Sequence, residues 1–389
     1  MNLKKTFSIL VITFCFFLQN VSATNYPKVI LRGDNPDPSI IRNGDGWSSS
    51  EEKVKPIDLK SASKQGVIAP KPVFRDPVYD GAADPIVIWN PLKKKWWMYY
   101  TNRRVTMTQL PGVSWVLGTP IGIAESKDGA NWKYVGTANF PDLPTECGGK
   151  DATLWAPDVV KGSDGKWHMF LTVVPGIDSK WGIPGFITHL TSTDMRNWKY
   201  EKRISQLKKS VIDADILQMP GSWRMYYKDQ NNYSHINMSE SKDLYNWSEP
   251  KEILSINGEG PIAFQWKGYY WLFVDTWNGQ TVHRSVDGNN WIVQPGGPIL
   301  PDDEGKGKDD RTKALHANVV ISNDCLYLYY FTHPGRIGAD KDKDNYEQRR
   351  TSIQVVELEL SKAGWITYNR NKPTFVKMSQ EKGTVKHKK

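Results

Sequence analysis

Residues 258–275 read GEGPIAFQWKGYYWLFVD. Glu259 stands between two glycines, with Pro261 close behind it. A short apolar run (Ile262, Ala263, Phe264) leads through a Lys267-Gly268 turn into an aromatic strand, Tyr269 to Val274. Aromatic and β-branched runs joined by a glycine-containing turn predict a β-hairpin. An acidic residue at the mouth of such a strand is placed to meet solvent or ligand rather than core. A single copy would be no more than a loop glutamate beside a turn, but the hairpin recurs.

ADPIVIWNPLKKKWWMYYTN (83–102), WAPDVVKGSDGKWHMFLTVV (155–174), VIDADILQMPGSWRMYYKD (211–229) and LHANVVISNDCLYLYYFTH (315–333) follow the same plan. Each has a polar lead, a short apolar strand, a turn and an aromatic-rich strand. A second repeat interleaves with the first. SKDGANW (126–132), STDMRNW (192–198), SKDLYNW (241–247) and SVDGNNW (285–291) all read Ser-x-Asp-x-x-Asn-Trp. The Asp is suited to accept turn amides and the Trp to pack the turn onto a neighbouring strand, so these are structural punctuation. Paired hairpins without helical periodicity predict an all-β chain, a five-bladed β-propeller with four-stranded blades over 83–375. The fifth blade finishes with TSIQVVELEL (351–360). A β-sandwich with an accessory domain does not explain the matched pairs.

At the N-terminus, Lys4 and Lys5 precede an apolar run from Phe7 to Leu18, and Val21-Ser22-Ala23 supplies small residues for cleavage. This predicts a signal peptide over 1–23 and a secreted or periplasmic protein with no membrane span. Residues 24–82 read as an extension packing on the propeller, and 376–389 as a basic flexible tail. Beyond the signal remain Cys147 and Cys325, which an oxidising compartment permits to pair, although two buried thiols is the simpler reading. The chain is basic, with 51 Lys and Arg against 42 Asp and Glu, which favours an anionic polymer, including an acidic glycan. Nucleic acid is disfavoured, because no nucleic-acid-binding motif is present.

The innermost strand of each propeller blade lines the central channel. The residues leading those strands are read as Asp84, Asp158, Asp213, Glu259 and His316. They differ from one another, which points to one asymmetric site rather than a repeated lectin surface. Glycoside hydrolysis needs one carboxyl that donates to the leaving oxygen and another that activates water or attacks carbon. A third nearby carboxylate raises the pKa of the acid.

With ADPIV, WAPDVV, VIDADI, EGPI and HANVV in this order, the sequence resembles glycoside hydrolase family 43, five-bladed propeller enzymes that include β-xylosidases and α-L-arabinofuranosidases. The resemblance spans roughly Asp84 to Leu360. It implies Asp84 as general base, Asp213 as pKa modulator and Glu259 as general acid, with inversion and exo action on a plant or algal glycan. No cofactor is required. His316 is implied as the holder of a water or a Ca²⁺ ion in the channel. IDAD departs from the family's usual proline after the Asp, which leaves Asp215 as a rival to Asp213. Asp158 is read as a structural or substrate-binding residue.

Trp155 and Trp277 are candidates for stacking on sugar, and Arg103, Arg104 and Arg336 for pairing with a substrate carboxylate or sulfate. NPDPSII around Asp37 is a competing Asp-Pro start, but its hairpin is truncated, whereas Asp84 heads a complete one. The alternatives are a galactose- or anhydrogalactose-releasing glycosidase on this scaffold, or a glycan-binding propeller without catalysis.

Overall fold

The computed structural model describes residues 66–207 and 210–378, together with two short paired strands, Arg42–Asn43 and Gly46–Trp47. That pair lies in a unit spanning residues 1–56, and the remainder belongs to a second unit, 57–389. The predicted signal peptide and Asp37 lie outside the described residues.

Five four-stranded antiparallel sheets form the second unit, each from one continuous stretch of chain. Their innermost strands are Ala82–Asn90, Ala152–Lys161, Val211–Met219, Glu259–Trp266 and Leu315–Ser322. Each packs against the next, and the fifth packs against the first, closing a five-bladed propeller. The second strands are the aromatic runs: Lys95–Asn102, Trp167–Pro175, Ser222–Asp229, Tyr269–Asp275 and Cys325–Thr332. They sit second in every sheet, covered on both faces, which is why nearly every residue in them is buried.

Apolar side chains collect between blades rather than around one centre. One cluster joins Trp97 and Tyr99 of blade 1 to Met169 and Leu171 of blade 2, and comparable clusters fill each following gap. Closure between blades 5 and 1 recruits the chain ends. Val73, Phe74, Val376 and Met378 join that cluster, and Val67–Ile68 pairs antiparallel with Phe375–Val376. Residues 376–378, read from sequence as tail, are thus part of the packed structure.

The four Ser-x-Asp-x-x-Asn-Trp turns link third to fourth strands and share one hydrogen-bond pattern. At 241–247 the Ser241 hydroxyl accepts from the Leu244 amide (2.9 Å), while Asp243 Oδ1 accepts from the amides of Tyr245 (2.8 Å) and Asn246 (2.7 Å). The Asn246 side chain donates to Asp243 Oδ2 (2.8 Å). The tryptophan faces the preceding blade. Trp132, Trp198, Trp247 and Trp291 pack on Tyr329, Tyr99, Phe170 and Tyr226, which occupy one repeated position on the second strands. The turn motif is therefore a clasp between blades. Cys147 and Cys325 are both free thiols; Cys147 is buried in the gap between blades 1 and 2, where burial pushes its pKa up to about 11.

Candidate active site

Every innermost strand carries a register shift near its start, falling between Ala83 and Ile86, Trp155 and Asp158, Ile212 and Asp215, Glu259 and Ile262, and Leu315 and Ala317. A β-bulge inserts an extra residue and re-aims side chains. The bulged residues Asp84, Ala156, Asp213 and Gly260 all have positive φ, at 49°, 40°, 60° and 53°. Left-handed backbone is unfavourable for residues bearing a Cβ, although Asp tolerates it better than most. At Gly260 a side chain is excluded outright, because a Cβ there would lie 2.6 Å from the His316 ring.

The bulge resets the equivalences between blades. Asp84 and Asp213 match Ala156 and Gly260, whereas Glu259 stands one residue before its bulge. Asp158 stands two residues after its bulge, as do Asp215 and Asn318. All three clasp the next blade: Asp158 accepts from the Ile216 amide (2.7 Å), Asp215 from Ala263 (2.8 Å) and Asn318 from Val87 (3.0 Å). Burial pushes the Asp158 carboxyl up to about 7 and that of Asp215 well above the ordinary range. Asp158 and Asp215 do not line the cavity and serve the ring instead.

The cavity holds about 1140 Å³ at the mouth of the channel, and Asp84, Asp213, Glu259 and His316 all line it. His316 Nδ1 lies 3.8 Å from Asp84 Oδ1 and 4.0 Å from Asp213 Oδ2. Asp213 Oδ2 accepts from the Gly260 amide (3.2 Å), tying the third blade to the strand that carries Glu259. Burial first, then the charges of Glu259 and Asp84, push the Asp213 carboxyl up to about 6, against the opposing pull of His316 and Lys228.

A second repeated position completes the site. The second-strand residues paired with the position before each bulge are Thr101, Thr172, Lys228, Asp275 and Phe331. Thr101 accepts from the Ala156 amide, Thr172 from Asp213 and Asp275 from His316, each at 2.9 Å. In the third blade this position is Lys228, which is buried, donates to Glu259 Oε2 (2.9 Å) and lies over the Trp277 ring (4.9 Å). Asp275 is buried across the ladder from Glu259, and burial together with the Glu259 charge raises its pKa well above normal. Neither Lys228 nor Asp275 is among the candidates that the sequence put forward; both stand at the ends of aromatic second strands.

Arg103 reaches Asp84 Oδ1 (3.4 Å) and His333 Nε2 (3.3 Å). Arg336 lines the same cavity, but Arg104 turns away and donates to the Ser114 carbonyl (2.7 Å). Trp155 lines the wall with its indole N–H donating to the Val116 carbonyl (2.8 Å), and Trp277 also lines the cavity and is exposed. Trp181, 68% exposed and edge-on to Trp155 at 6.2 Å, was missed because its loop matches no repeat. For a channel Ca²⁺, His316 offers a nitrogen where the ion favours oxygen ligands. Among the described residues no group of three His, Cys, Asp or Glu is arranged to hold a metal.

The profile of glycosyl hydrolases family 43 matches residues 113–366. This chain belongs to that family. The family-43 match starts after the strand that carries Asp84, so that residue rests on the propeller geometry. A thermostable family-43 glycoside hydrolase is similar in fold, with TM-score 0.56 and 18% identity, covering 79% of this chain and 98% of that one. So is a family-43 enzyme from Xanthomonas citri complexed with xylotriose, with TM-score 0.55 and 14% identity over 79% and 95%. An exo-β-1,3-galactanase from Phanerochaete chrysosporium, with galactose, gives TM-score 0.57 and 13% identity over 82% and 70%. No curated protein matches in sequence. The protein is thus a family-43 glycoside hydrolase propeller, and among the described residues no helix is long and apolar enough to cross a membrane.

Proposed function

We propose that this glycoside hydrolase is exported and cleaves single sugars from the ends of a plant or algal glycan with inversion, in the manner of β-xylosidases and α-L-arabinofuranosidases. The observation that carries the reading is the convergence of Asp84, Asp213 and Glu259 on one cavity. Asp84, held by Arg103, takes the proton of an attacking water. Glu259 gives its proton to the leaving oxygen from Oε1, while Lys228 holds Oε2 and stabilises the carboxylate left behind. Asp213 fixes the Gly260 amide, which holds the strand that carries Glu259 against the third blade. Export rests on the N-terminal sequence pattern.

Glu259→Gln keeps the shape of the side chain and removes the donatable proton. Turnover of natural glycans is expected to fall by about 10²–10⁴-fold. Aryl glycosides with good leaving groups need less protonation and should lose less. Equal, small losses on both substrate types sink the general-acid role. Asp84→Asn should abolish turnover on both while the fold persists, and a fully active Asp84→Asn enzyme moves the base elsewhere. A screen of xylosides, arabinofuranosides and galactosides identifies the sugar.

A further inference from the structure

Building on the glycosidase reading, we propose that the cavity carries an anion subsite centred on Arg336, which selects sugars bearing a carboxylate or a sulfate ester. Arg336 follows His333 by one turn, its amide closing on the His333 carbonyl (3.0 Å), and its guanidinium Nε donates to the Gln348 carbonyl (3.0 Å). Among the described residues its guanidinium has no ion-pair partner, although the cavity is otherwise rich in paired charge. Arg103 is matched to Asp84, Lys228 to Glu259 and Lys313 to Asp302. Of the two rim acids that follow it in sequence, Asp344 is already gripped by both arms of Arg349 (2.6 and 2.7 Å), and Asp342 lines the cavity without forming an ion pair to Arg336.

His333 cannot answer the charge. It accepts from Arg103, and burial followed by the charges of Arg336 and Arg103 holds it neutral. Desolvation and then Arg103 lower the Arg336 pKa to about 10, with the charges of Asp344 and Asp342 opposing less strongly. A guanidinium kept at a cavity wall beside a second one is disfavoured until an anion arrives. Its planar fork suits the oxygens of a carboxylate or a sulfate. Trp155 and Trp181, which line the same cavity, supply apolar surface for the ring of the same sugar.

The test compares binding rather than turnover, so that it stands apart from the acid–base assignments. Titration calorimetry on the full chain would use galacturonate and galactose 6-sulfate, each against galactose. Tighter binding of either anion than of the neutral sugar, by about 10-fold or more, is expected from a charge-assisted pair. The preference should weaken with added salt, and the preferred anion identifies the substituent. Arg336→Met should remove the preference, and Arg336→Lys should keep part of it, which separates charge recognition from loss of loop packing. Equal affinity for charged and neutral sugars, or a preference that survives Arg336→Met, overturns the subsite. Loss of turnover in Glu259→Gln leaves this result untouched.

Discussion

Asp84 and Asp213 are both buried, both bulged and both in left-handed backbone, a combination that costs stability and persists only where surrounding structure enforces it. Thr172 enforces it at Asp213 by taking the backbone amide, and Gly260 does so by donating to the side chain. The raised pKa of Asp213 has a consequence for stability. Between its ordinary pKa near 3.8 and its folded value of about 6, the native protein holds the proton that the unfolded chain has released. Stability from this group is therefore full below pH 4 and is lost as pH rises through 6. Asp213→Asn removes that loss while keeping an acceptor for Gly260. It should be more stable than the parent by about 1–3 kcal/mol at pH 8. At pH 3.5 the two should match, and turnover should fall at both values. Urea titrations at the two pH values check this, and a gain equal at both sinks the charge argument.

At the scale of elements, the repeated units are the bulged inner strand and the clasping turn. The Ser-x-Asp-x-x-Asn-Trp pattern was legible because its hydrogen bonds are local, all within a few residues. Its partner was not, because Trp247 meets Phe170 only after two blades dock. Trp247 is buried, and its indole N–H donates to the Leu244 carbonyl (3.1 Å). Trp247→Ala should cost about 3–5 kcal/mol. Its distance from the cavity should leave KM of the surviving folded enzyme unchanged. A urea midpoint within error of the parent would refute the clasp. The inner strands were harder to align from sequence. One inserted residue flips the alternation, so WAPD put forward Asp158, whereas the residue matching Asp84 is Ala156.

Across the whole molecule, the ring places one asymmetric centre where five inner strands converge, and reaction outcome belongs to that scale. Inverting enzymes hold their two carboxyls roughly 6.5–9.5 Å apart to admit a water, and retaining ones about 5–5.5 Å. With Asp84 on the first blade and Glu259 on the fourth, across a cavity of about 1140 Å³, the first product should have inverted configuration. Proton NMR in the first minutes of reaction reads this directly, and the retained anomer would overturn it. Hairpins, clasping turns, blade number and the order of the three acidic residues follow from the sequence itself, because each depends on neighbours close in the chain. The role of Lys228 against Glu259, the turning away of Arg104 and the use of Asp158 and Asp215 as clasps were decided by tertiary structure alone. Each depends on which blade lies beside which, and a bulge in every inner strand shifts those contacts by one residue, a displacement that local pattern does not record.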